Sequence, residues 1–198
     1  MPLDPEEFYT EGAEEFAENH RLEDRPGVKE KLDEFCEKLE GEKILDAGCG
    51  PVEEPDEFVK RGFEYVGVDI APGMVEYARE NRKGEFHVMD IRDLEFPDNE
   101  FDGVWCNASI FFVPPEKMKQ IAEELARVLK NSGTVYINFK LGEGSFLKEK
   151  YGEEIRQYLV SEEEAREILK STGFVVESFS EADIPGSTIG NFFCSFQN

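Results

Sequence analysis

The sequence predicts a doubly wound α/β fold, in which a mostly parallel sheet of seven strands is covered by helices and ends in an antiparallel strand pair. Short apolar runs alternate with amphipathic stretches of helical spacing from Lys43 to Phe139, which is typical of parallel sheets. A glycine-containing turn, "DAGCG", follows the first run. The last two apolar runs are joined by a loop too short for a crossover helix, which predicts antiparallel pairing.

Five apolar runs form the parallel part of the predicted sheet. The clearest helix between them is Glu116–Leu129, whose apolar residues share one stripe, and we expect that stripe to pack on the sheet. The five predicted strands are Lys43–Ala47, Tyr65–Asp69, Glu85–Met89, Phe101–Cys106 and Thr134–Phe139.

Two helical segments are predicted before the sheet. The acidic first twenty residues are expected to form one appended helix. Apolar residues from Val28 to Leu39 share a helical face that stops at Gly41, and glycine is common just beyond a helix end. We expect this second helix to cover one face of the sheet.

After Phe139 the pattern loosens in "KLGEGSFLKEKYGEEIRQYLV", which contains glycines and has no clear period. Such an excursion predicts a lid over a site. The next predicted helix begins after Ser161, which is expected to form a capping box with Glu164. Gly173 is expected to end this helix. The predicted antiparallel strands are Phe174–Phe179 and Asn191–Phe196.

Composition limits the class of protein. The 198 residues, 39% of them hydrophobic, are enough for one sizeable core and predict a single domain. A formal net charge of −23 repels phosphate backbones, so we expect no nucleic-acid partner. Neither a long apolar run nor a signal-peptide pattern is present, so we expect a cytoplasmic protein with no membrane partner.

The cysteines are expected to be free thiols. Their scattered positions match neither a disulfide framework nor a metal site. We therefore predict no metal ion. The four cysteines are Cys36, Cys49, Cys106 and Cys194.

The glycine turn predicts a ligand site at the sheet edge. In an open parallel sheet, ligands bind beyond the carboxyl ends of the strands, where the winding reverses. Gly48 and Gly50 allow the backbone to approach a ligand closely. A dinucleotide fingerprint would need another glycine at the position of Glu53, where a carboxylate would repel a pyrophosphate. NAD therefore fits poorly.

Two further acids follow the next strands. Asp69 lies about 20 residues beyond the glycine turn, where a carboxylate accepts hydrogen bonds from ribose hydroxyls. The alternative is that Asp69 caps the helix beginning at Pro72. Asp90 is placed to receive the exocyclic amine of an adenine while Ile91 packs against the ring. The alternative role of Asp90 is a loop cap.

These motifs resemble the class I S-adenosylmethionine-dependent methyltransferases, in particular the type 11 small-molecule group. The matching segments are "ILDAGCGP", "VGVDIAPGMVEYA", "MDIRDLEFPDNEFDGVW" and "ARVLKNSGTVYI", and the order of elements matches from about Tyr9 to the C-terminus. The resemblance implies a Rossmann-like methyltransferase fold, S-adenosylmethionine as cofactor, and methyl transfer by in-line displacement to an unidentified small-molecule acceptor.

The resemblance also implies a set of cofactor-binding residues. They are Asp46, Gly48 and Gly50 with their neighbour Cys49 at the methionine part, Asp69 with Ile70 and Met74 at the ribose, Asp90 and Ile91 at the adenine, and Asn107 on the path to the acceptor.

Glu53 and Glu54 follow the turn, and Pro55 favours the first turn of a helix. We therefore expect the next helix to begin near Pro55, so that Val52 need not adopt a glycine-only conformation. One hypothesis is that a glutamate faces the ammonium or sulfonium group of the cofactor. The alternative is that both are solvated loop residues.

Aromatic residues supply the candidate acceptor site. Tyr9 and Phe16 match aromatic positions of an N-terminal lid in related enzymes, although a helix face packed on the core is the alternative. Phe112 stands where related enzymes often carry a histidine. The candidate acceptor-binding residues are Tyr9, Phe111, Phe112, Arg156 and Tyr158.

No catalytic residue is selected by the sequence. His20, Tyr151 and Tyr158 are candidate bases, whereas His87 lies in a strand pattern and is predicted to be structural. A non-catalytic S-adenosylmethionine-binding regulatory protein is the main alternative function, and an NAD-dependent oxidoreductase is disfavoured by Glu53. The oligomeric state is not predicted.

The predicted domain, 1–198, has four parts. Residues 1–41 form an N-terminal helical cap, 42–139 the cofactor-binding core, 140–160 a candidate acceptor lid, and 161–198 the C-terminal helix and strand pair.

Overall fold

A computed structural model describes residues 5–10, 12–150 and 153–197. Its described strands form one seven-stranded sheet and a separate two-stranded hairpin. The strands of the large sheet are β1 (Lys43–Ala47), β2 (Glu64–Asp69), β3 (Glu85–Val88), β4 (Phe101–Cys106), β5 (Leu129–Leu141), β8 (Phe174–Ile184) and β9 (Ser187–Phe196), and the hairpin consists of β6 (Ser145–Lys150) and β7 (Glu153–Tyr158).

The strand order in the large sheet is β3-β2-β1-β4-β5-β9-β8. β1 pairs in parallel with both β2 and β4, so the winding reverses between β1 and β4. β9 pairs antiparallel with β5 on one side and with β8 on the other. The predicted doubly wound, mostly parallel sheet with a C-terminal antiparallel pair is confirmed.

Helices cover both faces of the sheet. Leu32, Phe58 and Val75 belong to the core on one face, whereas Met118 and Leu169 belong to the core on the other. Among the described residues, no helix is long and apolar enough to cross a membrane. The helices are α1 (Pro5–Thr10), α2 (Ala13–Asn19), α3 (Pro26–Lys38), α4 (Glu54–Lys60), α5 (Pro72–Asn81), α6 (Pro115–Val128) and α7 (Glu162–Ser171).

Local signals account for the ends of several elements. The Ser161 hydroxyl accepts a hydrogen bond from the Glu164 amide at 3.1 Å, and the Glu164 carboxylate accepts one from the Ser161 amide at 2.7 Å. Gly173 follows α7 with a positive φ of 90°. The predicted capping box and helix end are confirmed. All four cysteines are free thiols, as predicted.

Gly41 does not have its predicted role as the residue just beyond a helix end. α3 ends at Lys38, and Gly41 lies in the connection to β1 with φ 130°. A Cβ at Gly41 would lie 2.3 Å from Cγ of Asp102. The Asp102 carboxylate accepts hydrogen bonds from the amides of Glu42 and Lys43, which draws the chain against that side chain and leaves room only for glycine.

The N-terminal segment forms two short helices, so the prediction of one appended helix is wrong. α1 and α2 are separate, and Gly12 precedes α2 with φ −120° and ψ 18°, outside helical geometry. Glycine weakens a helix interior because its backbone loses the most conformational freedom on folding. The acidic sequence around Gly12 therefore contains a break that the charge pattern did not reveal.

The segment after β5, for which the sequence predicts a lid without specific strands or helices, forms a regular hairpin. β6 and β7 pair antiparallel from Ser145↔Tyr158 onward. Gly142 and Gly144 have positive φ values of 144° and 80° and turn the chain out of the large sheet. The candidate base Tyr151 lies outside the described residues.

Three strands are longer than predicted. β5 begins at Leu129, directly after α6, and β8 and β9 extend to a tight connection at Pro185 and Gly186. Gly186 has a positive φ of 78°, a conformation that a turn requires and glycine readily adopts. The ends of these strands are polar, and a prediction based on apolar runs therefore does not include them.

Candidate active site

A cavity of about 640 Å³ opens at the carboxyl ends of β1, β2 and β4, where the winding reverses. α1 and α2 contribute to its wall from one side, and the β6–β7 hairpin contributes from another. All residues predicted for the cofactor and acceptor line this cavity: Asp46, Gly48, Cys49, Gly50, Asp69, Ile70, Met74, Asp90, Ile91, Asn107, Tyr9, Phe111, Phe112, Arg156 and Tyr158.

The glycine turn after β1 is fixed against β2. The amides of Gly48 and Cys49 both donate to the carbonyl oxygen of Val68, at 2.8 and 2.9 Å. Gly48 has a φ of 84°, and a Cβ there would lie 2.2 Å from Oγ of Ser109. Gly50 has a φ of 54° and no atom near its missing Cβ. The turn is therefore tightly packed at Gly48 and open at Gly50.

Asp69 connects the glycine turn to the start of α5. Its Oδ2 accepts a hydrogen bond from the Gly50 amide at 3.0 Å, and its Oδ1 accepts one from the Ala71 amide at 2.9 Å. The N-cap residue of α5 is Ala71, without a side-chain cap, so Asp69 is not the cap of α5. Burial raises the pKa of Asp69, and the backbone hydrogen bonds oppose that rise.

Asp46 lies beneath the turn with only 2% of its surface exposed. The Tyr65 hydroxyl donates a hydrogen bond to Asp46 Oδ2 at 2.7 Å. Burial raises the pKa of Asp46 well above its ordinary value; the Tyr65 hydrogen bond opposes this, and Glu54 and Asp69 add to it. This end of the cavity therefore concentrates acidic groups and suits a ligand that carries positive charge.

The glutamates after the turn hold the N-terminal segment. The Glu53 carboxylate accepts a hydrogen bond from the Leu22 amide at 2.7 Å. Glu54, only 1% exposed, receives two hydrogen bonds of 2.9 Å from the Arg25 guanidinium. Their interpretation as solvated loop residues is wrong. The prediction that a helix begins near Pro55 is confirmed, because α4 starts at Glu54.

Asp90 is engaged by a neighbouring arginine. Its Oδ1 accepts hydrogen bonds from the Arg92 amide and Nε, both at 2.9 Å, and Nη2 of Arg92 contacts Oδ2. Burial would raise the pKa of Asp90, but the hydrogen bonds from Arg92 lower it below its ordinary value. A ligand amine at Asp90 would share the carboxylate with this guanidinium.

Asn107 is positioned by a chain of polar side chains. Its Oδ1 accepts a hydrogen bond from Nδ2 of Asn138 at 2.7 Å, and Oδ1 of Asn138 accepts one from the Ala108 amide at 2.8 Å. Asn138 also donates to the Tyr136 hydroxyl, which donates to Asn191. These contacts fix the side chain of Asn107 at the cavity wall.

Aromatic rings from the N-terminal helices meet rings from the segment after β4. The ring centroid of Tyr9 lies 5.6 Å from that of Phe16 and 5.4 Å from that of Phe112. Phe16 also stacks on His20 at 4.0 Å. Tyr9 and Phe16 line the cavity, whereas Phe8 is the buried residue of α1. This arrangement favours the lid interpretation of Tyr9 and Phe16.

Residues 45–137 match the family model for the type 11 methyltransferase domain. This match covers slightly less than half of the chain and shows a likeness to that family. The predicted family resemblance is thereby confirmed.

Known methyltransferases are similar to this chain over part of their length. Malonyl-[acyl-carrier protein] O-methyltransferase of Erwinia pyrifoliae is 32% identical over 121 residues, which are 61% of this chain and 45% of the relative. Phosphoethanolamine N-methyltransferase of Plasmodium falciparum is 27% identical over 176 residues, which are 80% of this chain and 63% of the relative. The chain thus spans less than two thirds of the length of either relative.

A solved structure shows the same fold. The crystal structure of a SAM-dependent methyltransferase from Methanosarcina mazei superimposes with a TM-score of 0.73 at 22% identity. The match covers 81% of this chain and 95% of that chain. This likeness shows that the two chains have the same fold.

Several residues that line the cavity were missed by the sequence analysis. Lys140 and Gln157 are buried at the cavity wall, and Arg25 reaches it from before α3. Apolar periodicity gave no signal for these residues because each is polar or charged, and nothing in the sequence shows that Lys140 and Gln157 are buried. His87 lies in β3, with Nε2 2.9 Å from a Glu85 oxygen, and is not among the residues lining the cavity.

The raised pKa of Asp46 gives a pH-dependent prediction. Asp46→Asn keeps an oxygen to accept from Tyr65 but cannot ionise. A group whose pKa is raised by folding contributes stability at low pH, and that contribution is lost as the pH rises through its folded pKa. In urea unfolding, the stability of the unsubstituted protein should therefore fall relative to that of Asp46→Asn as the pH rises above the ordinary pKa of an aspartate. A constant difference would contradict this account.

Docking of α1 depends on Gly73 in the first turn of α5. A Cβ at Gly73 would lie 1.9 Å from the carbonyl oxygen of Thr10. Gly73→Ala is therefore expected to displace α1 and to accelerate amide hydrogen exchange in residues 5–10 by about tenfold. Gly27→Ala is the control, because nothing lies within 4 Å of a Cβ there. Equal exchange in both variants would argue against this contact.

Proposed function

We propose that the chain binds S-adenosylmethionine and transfers its methyl group to a small-molecule acceptor. The observation that carries the proposal is the convergence of Asp46, Asp69 and the turn at Gly48–Gly50 on one cavity at the reversal of winding. The likeness to the type 11 methyltransferase family favours the same cofactor. The name of one relative, a phosphoethanolamine N-methyltransferase, supports a small-molecule acceptor without identifying it.

The residues of the cavity fit an adenosyl cofactor. The open space at Gly50 admits a ligand beside the glycine turn, and each oxygen of Asp69 has lone pairs left after its single backbone hydrogen bond. The acidic end of the cavity, with Asp46 and Asp69, favours a positively charged sulfur and amine. Met74 and Ile91 supply apolar surface on the same wall.

We assign the parts of the cofactor to residues in the order of the strands. The methionine part lies at the turn after β1, the ribose at Asp69 after β2, and the adenine at Ile91 after β3. Asp90 contributes to the adenine contact together with Arg92, its partner in the structure. The full proposed set is Asp46, Gly48, Cys49, Gly50, Asp69, Ile70, Met74, Asp90, Ile91 and Asn107.

Methyl transfer requires the protein to align the methyl donor with the acceptor and to exclude water from the cavity. Bound S-adenosylmethionine supplies an activated methyl group on a positively charged sulfur. The aromatic cover of Tyr9, Phe16 and Phe112 shields the cavity, and the polar chain behind Asn107 fixes a hydrogen-bonding group beside it. Alignment of this kind supplies a large part of a transfer rate. We assign no catalytic base.

We further propose that the β6–β7 hairpin is the acceptor lid within a single domain spanning 1–198. Arg156 and Tyr158 of β7 line the cavity together with Phe111 and Phe112. β7 contacts both α1 and the turn at Ile110–Phe112. The hairpin therefore covers the part of the cavity that is lined by Phe111 and Phe112.

Calorimetry tests the cofactor. S-adenosylmethionine and S-adenosylhomocysteine are expected to bind, and NAD is expected not to bind. Binding of NAD alone would overturn the proposal. Transfer of a labelled methyl group into a metabolite extract then tests turnover. Cofactor binding without transfer to any metabolite would favour the non-catalytic regulatory alternative.

A further inference from the structure

A buried lysine lies in the cavity wall on the side of the hairpin. Lys140 belongs to β5 and is only 4% exposed. Its ammonium group donates to Oε1 of Gln157 and lies 5.0 Å from the ring centroid of Phe111 and 5.1 Å from that of Phe146. An amide and two aromatic rings therefore surround a positive charge inside the protein.

Lys140 has no carboxylate partner within 4.0 Å anywhere in the described ranges 5–10, 12–150 and 153–197. This is unusual in a chain with a net charge of −23, where lysines such as Lys43 and Lys130 pair with acids. Lys148 and Arg156 line the same side of the cavity, and Arg156 donates to the Ser145 hydroxyl at 3.0 Å. We call Lys140, Lys148 and Arg156 the cation wall.

The environment of Lys140 disfavours the protonated ammonium form, but this form still predominates at neutral pH. Burial and, to a smaller extent, the nearby positive charge of Lys148 together lower the pKa of Lys140 to about 8. A lysine with this pKa remains mostly protonated at neutral pH. A buried ammonium group without a counter-charge is costly. An anion placed in the cavity would supply the missing partner.

The two ends of the cavity therefore differ in charge. Asp46 and Asp69 make the end at the glycine turn acidic, whereas the cation wall makes the hairpin side basic. The proposed cofactor carries its positive charge at the first end. The second end lies against Phe111 and the hairpin, where the acceptor is proposed to bind.

We propose that the cation wall binds an oxyanion of the methyl acceptor, a carboxylate or a phosphate, and that Lys140 is the residue that contacts it. This inference rests on the proposed methyltransferase function. It specifies an acceptor that presents an acidic group to Lys140 and an apolar or aromatic portion to Phe111 and Phe112. Lys140 determines specificity in this scheme and takes no part in the transfer of the methyl group.

Calorimetry on protein saturated with S-adenosylhomocysteine tests the proposal. The probes are phenylacetate and phenyl phosphate, compared with their neutral counterparts phenylacetamide and phenol. At least one acid is expected to bind about tenfold more tightly than its neutral counterpart. The two acids distinguish a carboxylate from a phosphate.

Variants assign the preference to Lys140. Lys140→Met is expected to abolish the preference for the acid and to leave the affinity for S-adenosylhomocysteine unchanged. Lys140→Gln, which keeps a polar contact for Gln157 without a charge, is the second variant if the first does not fold. Lys83→Met, at an exposed lysine, is the control and should retain the preference.

Two results would overturn the proposal: equal binding of acidic and neutral probes to the unsubstituted protein, or an undiminished preference in both Lys140 variants. Failure of S-adenosylhomocysteine to bind would instead refute the proposed function. The same acid and neutral probes, titrated into the protein alone, would then decide whether Lys140 binds anions.

Discussion

Replacing Asp69 by asparagine is expected to weaken binding of S-adenosylhomocysteine by about a hundredfold or more. Both oxygens of Asp69 accept backbone hydrogen bonds, from the amides of Gly50 and Ala71, and we propose that they also accept the ribose hydroxyls. An asparagine amide group would direct its own hydrogens toward one of these backbone donors. The substitution therefore disturbs the glycine turn and removes a charged acceptor from the ribose site.

Calorimetry on Asp69→Asn measures this loss. Asp33→Asn is a matched control, because Asp33 lies on α3 with 46% of its side chain exposed and pairs only with Arg61 among the ion pairs of the described residues. It should bind as the unsubstituted protein does. An affinity of Asp69→Asn within about threefold of the control, with the fold intact, would remove Asp69 from the proposed cofactor site.

Arg25→Met is expected to lower the free energy of unfolding by about 3 kcal/mol or more. The Arg25 guanidinium makes two hydrogen bonds to Glu54, whose side chain is only 1% exposed. Removing the arginine leaves a buried carboxylate without its partner, close to Asp46. Urea unfolding at neutral pH measures the loss.

A double-mutant cycle separates the interaction energy between Arg25 and Glu54 from the effect of each single substitution. Glu54→Met should cost less than Arg25→Met, because the Arg25 side chain is 20% exposed and reaches water. The variant with both methionines should recover part of the stability lost in Arg25→Met. Arg21→Met, at an exposed pair of 3.8 Å, should change stability by less than about 0.5 kcal/mol. If Arg25→Met changed the free energy of unfolding by as little as Arg21→Met, the buried pair of Arg25 and Glu54 would be dispensable for stability.

The parallel part of the fold was predictable because its signals are local. β1 and β4 have the predicted bounds, since both are continuous apolar runs that end in polar turns. The hairpin of β6 and β7 was missed because β7 alternates the buried residues Ile155 and Gln157 with more exposed ones, and the described side chains of β6 are exposed or half-buried. Its regularity comes from pairing between segments and is not visible as an apolar run in either one.

The predicted site residues line the cavity because each follows a strand that ends at the same edge of the sheet. Parallel strands bring such residues together whatever their separation in sequence. The contacts that determine the charge of the site could not be predicted in this way. Arg25 meets Glu54 and Lys140 meets Gln157 across gaps of 29 and 17 residues, and neither pair leaves a spacing pattern. These partners could be identified only in three dimensions.

The place of β9 in the sheet has a consequence for biogenesis. β9 follows β8 in the chain, yet it lies between β8 and β5. During translation, the edge of β5, with Val135 and Ile137, has no strand to pair with until β9 leaves the ribosome. An unpaired apolar edge of this kind is a site of aggregation. We therefore expect nascent chains to depend most on chaperones in the interval between synthesis of these two strands.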